Sequence, residues 1–303
     1  MSTTRHLRFL VFWTLSVIVF WPVLSNLARL SLNERLYAHI VLIPIISVGL
    51  IYINRKSVFL DSASYPRAGV PLLVAGMVLY LYVGLGPAPF SQIEPLGLGV
   101  FAVVLVWAAG FVLCYGRQPL VAARFPVLFL VLMIPIPPAI LDKVVVALQK
   151  GSAEVAYALF QLAGETVYRQ DFTFSLAGVD IEIAQECSGG RTTQALFIAG
   201  VLAGHVFLLS GWRKVCLAVC TIPIAIFTNA VRIVTMSVLA AHGYPRFLYG
   251  DLHNYTGRMF SVLSLSLLAA AMLALRWSEA RSRERAEPDP KVALPAATAE
   301  NLH

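Results

Sequence analysis

The sequence contains few charged residues. Asp, Glu, Lys and Arg make up 13% of its 303 residues, whereas hydrophobic residues make up 58% and the mean hydropathy is +0.76. A soluble domain carries roughly 25% charged residues. The shortage of charge excludes an ordinary soluble domain and predicts an integral membrane protein.

Cysteine is also scarce. The four cysteines lie at positions 114, 187, 216 and 220, and we expect all but Cys187 in the inner halves of membrane helices, so they do not form a disulfide framework. Cys216 and Cys220 are one helical turn apart without an adjoining His or acid, so packing explains them better than metal binding. Only Cys187 is expected to face outward.

The motifs of several common mechanisms are absent. No H-E-x-x-H, G-x-S-x-G or Walker sequence occurs, and no pair of intramembrane aspartates is present. The usual zinc, serine, nucleotide and aspartyl mechanisms therefore lack their residues. No metal or other cofactor is expected.

Long apolar runs dominate the sequence instead. A transmembrane helix needs about 20 mostly apolar residues. The first run follows the basic lead-in "MSTTRHLR" but has no convincing A-x-A cleavage pattern, so it is predicted to be an uncleaved anchor rather than a signal peptide. The sequence predicts an all-α polytopic membrane protein with about eight transmembrane helices, near residues 9–24, 36–53, 68–86, 97–115, 120–140, 192–210, 215–240 and 257–275.

The distribution of Lys and Arg predicts the orientation, because cytoplasmic loops carry an excess of both. With the N-terminus inside, both termini are cytoplasmic, and this topology explains the net charge of +7 without nucleic acid. The inner segments then hold 14 of the 23 basic residues, namely Arg5, Arg8, Arg55, Lys56, Arg67, Arg117, Arg124, Arg213, Lys214, Arg276, Arg281, Arg283, Arg285 and Lys291.

One long segment, residues 141–190, is predicted to lie outside the membrane as an insertion into a single membrane domain, 1–276. Its first half has helical apolar spacing and is predicted to lie along the membrane face, with Gln149 among its surface residues. Its second half alternates from Phe172 to Ile183 around a turn at Gly178, which predicts a β-hairpin. The tail, 277–303, is expected to be a cytoplasmic helical extension followed by disorder.

Cys187 lies in "IAQECSGGRTTQALF", where the predicted strand ends and the sixth helix begins. A helix N-terminus presents unpaired N–H groups and about half a positive charge, which favours a thiolate. Gly189 and Gly190 leave backbone N–H groups accessible to a substrate carbonyl. Cys187 is therefore a candidate nucleophile, and simple packing is the alternative.

Two further polar sites share the predicted outer face. Asn229 and Arg232 lie three residues apart on one helical face, and an intramembrane Arg costs about 2.5 to 3.5 kcal/mol or more, which makes it a functional candidate. A snorkelling structural arginine is the alternative. His253, in "GDLHNYTGRMF", directly precedes the eighth helix. The topology thus brings Cys187, Arg232 and His253 together from three segments.

At "ECSGGRTT", "NAVRI" and "HNYTG" the sequence resembles the exosortase and archaeosortase family of membrane cysteine transpeptidases. The resemblance implies that Cys187 is the nucleophile and that Arg232 and His253 complete the site. It implies a multi-pass protein of the bacterial inner membrane, with the site on the extracytoplasmic face. The implied substrates are secreted proteins with a C-terminal sorting signal, made of a short motif such as Pro-Glu-Pro, a transmembrane helix and a basic cluster.

The implied reaction is cleavage through a thioester acyl-enzyme, followed by transfer to an amine or hydroxyl of a lipid or glycan acceptor, or to water. His253 is expected to protonate the leaving amine and Arg232 to stabilise the oxyanion. Arg191 and Glu186 could bind the polar motif of the substrate, but helix-end electrostatics explain both residues equally well. The supporting or substrate-binding candidates are Asn229, Arg191, Glu186, Ser188, Gly189 and Gly190.

Other functions remain open from the residues alone. In a transporter or lipid-linked glycan carrier, Arg232 and His253 bind an anionic head group and Cys187 packs. A purely structural assembly subunit is a third hypothesis. His39 and His242, near the outer ends of the second and seventh helices, are alternative neighbours of the site.

Overall fold

The computed structural model describes residues 3–59, 66–176, 179–183, 190–242 and 251–284, with the backbone alone at residues 3, 35, 179, 182 and 251–256. The chain divides into two compact units, and the boundary between Val145 and Val146 falls inside a helix.

All the regular secondary structure in the described residues of the first unit is helical. Its α-helices are separated by turns and by two short 3-10 helices, Arg35–Tyr37 and Leu130–Met133. The α-helices are α1 (Thr3–Val19), α2 (Trp21–Asn33), α3 (Leu42–Ile53), α4 (Arg55–Val58), α5 (Pro66–Gly84), α6 (Ile93–Tyr115), α7 (Arg117–Ala122), α8 (Arg124–Phe129) and the start of α9 (Pro138–Leu162).

Helix α6 forms the centre of the first unit. Of its most apolar stretch, 72% is buried, against 17% for the neighbouring α5. The two helices approach closely because Gly76 of α5 has no side chain: a Cβ there would lie 2.7 Å from Val106 Cγ2 and 3.1 Å from the Ala102 carbonyl oxygen. Small residues allow this close packing between membrane helices.

Four helices in the described residues are long and apolar enough to span a membrane, and the number is six if two bent pairs each form one span. The all-α polytopic class is therefore confirmed, although eight spans were predicted. The four are Pro66–Gly84, Ile93–Tyr115, Gly211–Ala241 and Gly257–Glu284, and the bent pairs are Thr4–Val19 with Trp21–Asn33 (74°) and Arg124–Met133 with Pro138–Leu162 (92°).

The difference in number has local causes. The predicted span 36–53 forms only a 12-residue helix, α3, which is about 18 Å long and shorter than a hydrocarbon core of about 30 Å. The predicted span 120–140 is divided at Ala123 and again at Leu130, and it stops before Pro135, Pro137 and Pro138, which cannot continue a regular helix. Hydropathy alone registers neither interruption. The predicted span 192–210 forms one helix, Gly190–Phe207, which is not among the candidate spans.

The second unit contains a small antiparallel sheet of three strands in the order β1 (Val167–Gln170), β2 (Thr173–Leu176) and β3 (Val179–Glu182). The predicted hairpin is confirmed as β2 and β3, which pair from Leu176↔Val179 to Thr173↔Glu182. The turn predicted at Gly178 lies outside the described residues. Strand β1 was not predicted, because four residues give too short an alternation to be recognised.

Helix α9 was correctly predicted as a helix, but one prediction about its surface was wrong. Gln149, expected at the surface, is only 5% exposed. The apolar face of α9 packs against β2, β3 and the long helix α11 (Gly211–Ala241) in a core that includes Phe160, Phe174 and Ile233. Protein therefore covers the part of α9 next to the sheet.

Three helices form the remainder of the second unit: α10 (Gly190–Phe207), α11 and α12 (Asp251–Glu284). All three contact one another. Gly200 of α10 allows close approach to α11, since a Cβ there would lie 2.7 Å from Thr221 Cγ2. The three helices enclose a core of Leu196, Leu208, Leu217, Ala225 and Leu268.

One end of this helix group is closed by a buried ion pair. Arg213 and Glu279 are 8% and 7% exposed, and Arg213 Nη1 lies 3.5 Å from Glu279 Oε1. The carboxylate also accepts hydrogen bonds from the backbone N–H groups of Leu209 (3.1 Å) and Ser210 (2.6 Å), at the start of α11. Arg213 Nη2 donates to Ser282 Oγ at 3.0 Å. The first turns after Trp277, which were predicted to be a helical extension, are therefore helical and fixed to the α10–α11 turn.

We expect Glu279→Ala to lower the stability of the protein. Removing one partner of a buried ion pair costs about 3 to 5 kcal/mol, because the other charge stays buried, and two N–H groups at the start of α11 lose their acceptor. The midpoint of thermal unfolding in detergent measures the effect. Glu284→Ala makes the same charge change at an exposed position of the same helix, and an equal shift in both variants would contradict this role of Glu279.

Candidate functional site

The structure describes some of the predicted site residues and not others. Cys187 lies outside the described residues, together with Glu186, Ser188 and Gly189. Gly190 is the first residue of α10, so the predicted helix start shortly after Cys187 is confirmed. The sequence motif around the cysteine therefore leads directly into the first turn of a helix.

The remaining predicted residues lie on the three packed helices. Arg191 is exposed in the first turn of α10, whereas Asn229 is buried and Arg232 is half-buried on α11. His253 lies in the first turn of α12, where only the backbone is described. Each of the three helices thus contributes at least one of the predicted residues.

A narrow cleft joins these helices. We call it the polar cleft; it is lined by Thr192 of α10, by Ala225, Thr228, Asn229 and Arg232 of α11, and by Gly257, Phe260, Ser261 and Ser264 of α12. The N-terminal turns of α10 and α12 therefore meet the C-terminal half of α11 at one end of the group. Its volume is about 20 Å³, which is room for about one water molecule.

Asn229 and Arg232 both line the polar cleft, which confirms that they share one helical face. Arg213, near the start of the same helix, lies 19 positions before Arg232. At about 1.5 Å per residue, the two arginines are about 28 Å apart along α11. This is close to the roughly 30 Å thickness of a hydrocarbon core, so each arginine is suited to one interface of the membrane.

The side chain of Asn229 is held by a residue that the sequence did not indicate. Asn229 is 6% exposed, and its Nδ2 donates a hydrogen bond to Ser152 Oγ over 3.1 Å. Ser152 is fully buried on α9. Because this bond joins two helices through buried groups, it fixes the direction of the Asn229 amide toward α9.

A second buried bond ties α9 to the chain that precedes Cys187. Gln149, one turn before Ser152, donates from Nε2 to the carbonyl oxygen of Ile183. Ile183 follows β3 and is the last described residue before 184–189. Gln149 and Ser152 are spaced three apart, a helical neighbour spacing within an otherwise apolar face. That spacing was the available sequence signal, and it was missed because Gln149 was assigned to the surface.

A third polar contact joins α11 to α12 within the cleft. Ser264 Oγ donates to Thr228 Oγ1 over 2.8 Å, and the Thr228 hydroxyl in turn donates to the Ile224 carbonyl at 2.9 Å. Both hydroxyl residues are buried. Asn229 is therefore flanked by fixed hydroxyl groups on two sides.

One alternative histidine, His242, does not line the polar cleft among the described residues. His242 is exposed at the C-terminal end of α11, where its Nδ1 lies 2.8 Å from the Val238 carbonyl oxygen. His39 belongs to the first unit. Within the described part of the chain, no group of three or more His, Cys, Asp or Glu side chains is arranged to hold a metal ion.

These features define a class: a polytopic helical membrane protein with a polar cleft at one end of a three-helix group. The sequence profile of the transmembrane exosortase family matches residues 31–270, which is most of the chain and includes every predicted site residue. The chain belongs to the transmembrane exosortase family, whose members are membrane sorting transpeptidases that process secreted substrates. No curated protein and no solved structure is significantly similar to it.

Proposed function

We propose that this protein is a membrane cysteine transpeptidase that cleaves a C-terminal sorting signal from secreted proteins and transfers them to a cell-surface acceptor. The observation that carries the proposal is the polar cleft, where Arg232 lies together with Thr192 in the first turn of α10 and with Gly257, Phe260, Ser261 and Ser264 in the second to fourth turns of α12. Cys187 precedes the first residue of α10 by three positions, and His253 precedes Gly257 of the cleft by four. This spacing supports the assignment of Cys187, Arg232 and His253 to one site.

Chain connectivity supports Cys187 as the nucleophile. Cys187 is three positions before Gly190, the first residue of α10, and three residues of fully extended chain span at most about 11 Å. The N-terminal end of that helix favours a thiolate over a thiol. Gln149 supports the same arrangement, since it fixes the carbonyl of Ile183 only four positions before Cys187.

The proposed chemistry has two balanced steps. The Cys187 thiolate attacks the carbonyl carbon of the scissile peptide bond, and the C–N bond breaks as His253 protonates the departing amine. A thioester joins the secreted protein to Cys187, while the transmembrane remnant leaves. An amine or hydroxyl of the acceptor, or water, then attacks the thioester, gives its proton to His253, and releases the Cys187 thiolate.

Arg232 is proposed to stabilise the oxyanion that forms in each step. Its guanidinium carries a positive charge and offers several donors in a fixed plane. Asn229, fixed by Ser152, is proposed to orient the donors of Arg232 or to donate to the same oxyanion. Arg191, Glu186, Ser188 and the backbone N–H groups of Gly189 and Gly190 complete the proposed set as supporting or substrate-binding groups.

We place the polar cleft at the extracytoplasmic face of a bacterial inner membrane, with both termini in the cytoplasm. The excess of Lys and Arg at the opposite helix ends supports this orientation. Substrates with a Pro-Glu-Pro motif, a transmembrane helix and a basic cluster fit it, because the motif then lies outside while the basic cluster stays inside.

The position of the polar cleft, at one end of the three-helix group, favours an enzyme over a transporter or glycan carrier. A peptide bond can approach the mouth of the cleft, where only one carbonyl oxygen needs to reach Arg232.

The function is tested with a substrate that carries such a sorting signal, co-expressed with this protein in a bacterial host. We expect release of the secreted part from its membrane helix and a protein–substrate adduct that hydroxylamine cleaves, as it cleaves thioesters. A membrane-impermeant thiol reagent should block processing from the outside. An uncleaved substrate, or a block seen only in inside-out vesicles, would overturn the function or the orientation respectively.

Ser152→Ala is expected to slow processing through Asn229. The substitution leaves a buried amide donor without its acceptor, at a cost of about 1 to 3 kcal/mol. If about 1.4 kcal/mol of this cost raises the barrier to cleavage, because the Asn229 amide is no longer held in place, the rate falls roughly tenfold. Processing rate and unfolding midpoint are measured side by side.

Ser237→Ala is the matched control, since Ser237 is also fully buried but bonds only the Ile233 carbonyl of its own helix. A double-mutant cycle with Asn229→Ala separates positioning from simple packing. If Ser152 acts through Asn229, its replacement adds no further loss of rate in the Asn229→Ala background. Fully additive losses would refute the positioning role.

A further inference from the structure

A second cavity, in the first unit, combines apolar walls with a basic rim. It lies among α1, α3 and α4, has a volume of about 500 Å³, and is open on one side. Val48, Ile51, Tyr52 and Phe59 supply its apolar walls, and His6, Arg55 and Lys56 supply its polar groups. We propose that this basic cavity binds an anionic phospholipid. Its phosphate lies at Arg55 and Lys56, and the part of an acyl chain nearest to the head group lies against α3.

The floor of the basic cavity is fixed by aromatic packing. The Phe59 ring lies 4.9 Å from the Tyr115 ring and 5.3 Å from the His6 ring, in an edge-on arrangement with the latter. The Tyr115 hydroxyl lies 2.9 Å from His6 Nδ1, which leaves Nε2 of the imidazole for a ligand. Phe59 and Ile51 also pack on the buried cluster that contains Tyr115. A cavity with such a floor keeps its shape before a ligand binds.

The basic groups on the rim are placed for an anion. Arg55 Cζ lies 4.4 Å from the centre of the Tyr52 ring, and Arg55 Nη1 donates to the Tyr52 carbonyl at 3.2 Å. Lys56 is the next residue along α4. Among the described residues, neither cation has a carboxylate within 4.0 Å. The two charges therefore stand together at the end of an apolar helix.

The walls favour a lipid over a soluble anion. Val48 and Tyr52 of α3 are 67% and 64% exposed, although they line a concave surface beside the cations. A free phosphate gains nothing from apolar walls. An acyl chain gains from them, because it covers their apolar surface with its own. Paired cations next to an apolar helix end are suited to a phospholipid head group. The cavity thus provides one region for each half of an amphiphile.

The proposal is tested by lipid retention on the full-length protein. The double variant Arg55→Gln and Lys56→Gln is compared with Arg117→Gln and Arg124→Gln, which makes the same charge change at exposed basic residues that do not line the cavity. Protein reconstituted with phosphatidylglycerol or phosphatidylcholine is extracted, and the lipid that stays bound is counted by native mass spectrometry. We expect phosphatidylglycerol to be retained, and the first double variant to weaken its retention roughly 30-fold.

Four outcomes would overturn the proposal. Equal losses in both double variants would indicate general attraction to the bilayer surface, and equal retention of phosphatidylcholine would remove the role of the anion. Displacement of the lipid by millimolar inorganic phosphate would indicate a site for a soluble anion. Val48→Ser, at an exposed position of the wall, is expected to weaken lipid retention without changing protein stability, and unchanged retention in this variant would exclude an acyl chain along α3.

Discussion

Replacing Cys187 with alanine is expected to abolish processing of the secreted substrate while the protein stays inserted and abundant. Loss of one sulfur at a helix end removes little packing, but no thioester forms without the thiolate. Cys187→Ser is also expected to be nearly inactive, because a serine hydroxyl stays protonated where a thiol at a helix N-terminus ionises. Substrate cleavage and the hydroxylamine-sensitive adduct are the measurements.

Cys216→Ala is the control for this experiment, since Cys216 is a half-buried, unpaired cysteine of α11 that lies outside the polar cleft. It is expected to process substrate at the normal rate. Full processing by Cys187→Ala would rule out the proposed mechanism, whatever the effect of the control.

Arg232→Lys is expected to slow processing at least about 10²-fold without preventing folding. Lysine keeps the positive charge but loses the planar set of donors that a guanidinium presents, and the loss of one oxyanion donor costs about 10² to 10³ in rate. A structural arginine that only reaches the membrane interface would tolerate lysine. The rate of cleavage at saturating substrate therefore separates the two roles.

Arg258→Lys provides a matched control, because Arg258 is exposed and adjoins Gly257 of the polar cleft in sequence. Asn229→Ala should show a milder loss than Arg232→Lys. Near-normal processing by Arg232→Lys would reduce Arg232 to an anchoring residue, and the oxyanion would then be assigned to Arg191 and to the backbone N–H groups of Gly189 and Gly190.

For α9, the sequence pattern predicts the helix but not the surroundings of its polar residues. Helical spacing predicted the helix correctly, because an apolar stripe with period 3.6 is a local property of the chain. The same pattern assigned Gln149 to the surface, whereas the structure buries it against the strand end at Ile183. A polar residue beside an apolar stripe faces either solvent or a buried acceptor, and only the neighbouring element decides which.

The number of spans shows a second limit. Short helices and proline residues interrupt several of the eight apolar runs, and α10, over the predicted span 192–210, is not among the candidate spans, so that four to six candidate spans result in the described residues. Hydropathy sums the transfer of side chains into an apolar medium. It does not record whether the backbone keeps one direction through a run, which depends on bends such as the 92° bend before α9.

The sequence by itself determined that this chain is a polytopic helical membrane protein of the transmembrane exosortase family, since composition and motif spacing are properties of the chain alone. It also brought the Asn229 and Arg232 side chains to one helical face. Only the tertiary structure decided that Ser152 holds Asn229 and that Glu279 closes the other end of the helix group on Arg213. The reason is physical: lipid and protein interior are both apolar, so the sequence of a membrane helix does not distinguish the face that meets lipid from the face that meets another helix. Those contacts arise only when the helices pack.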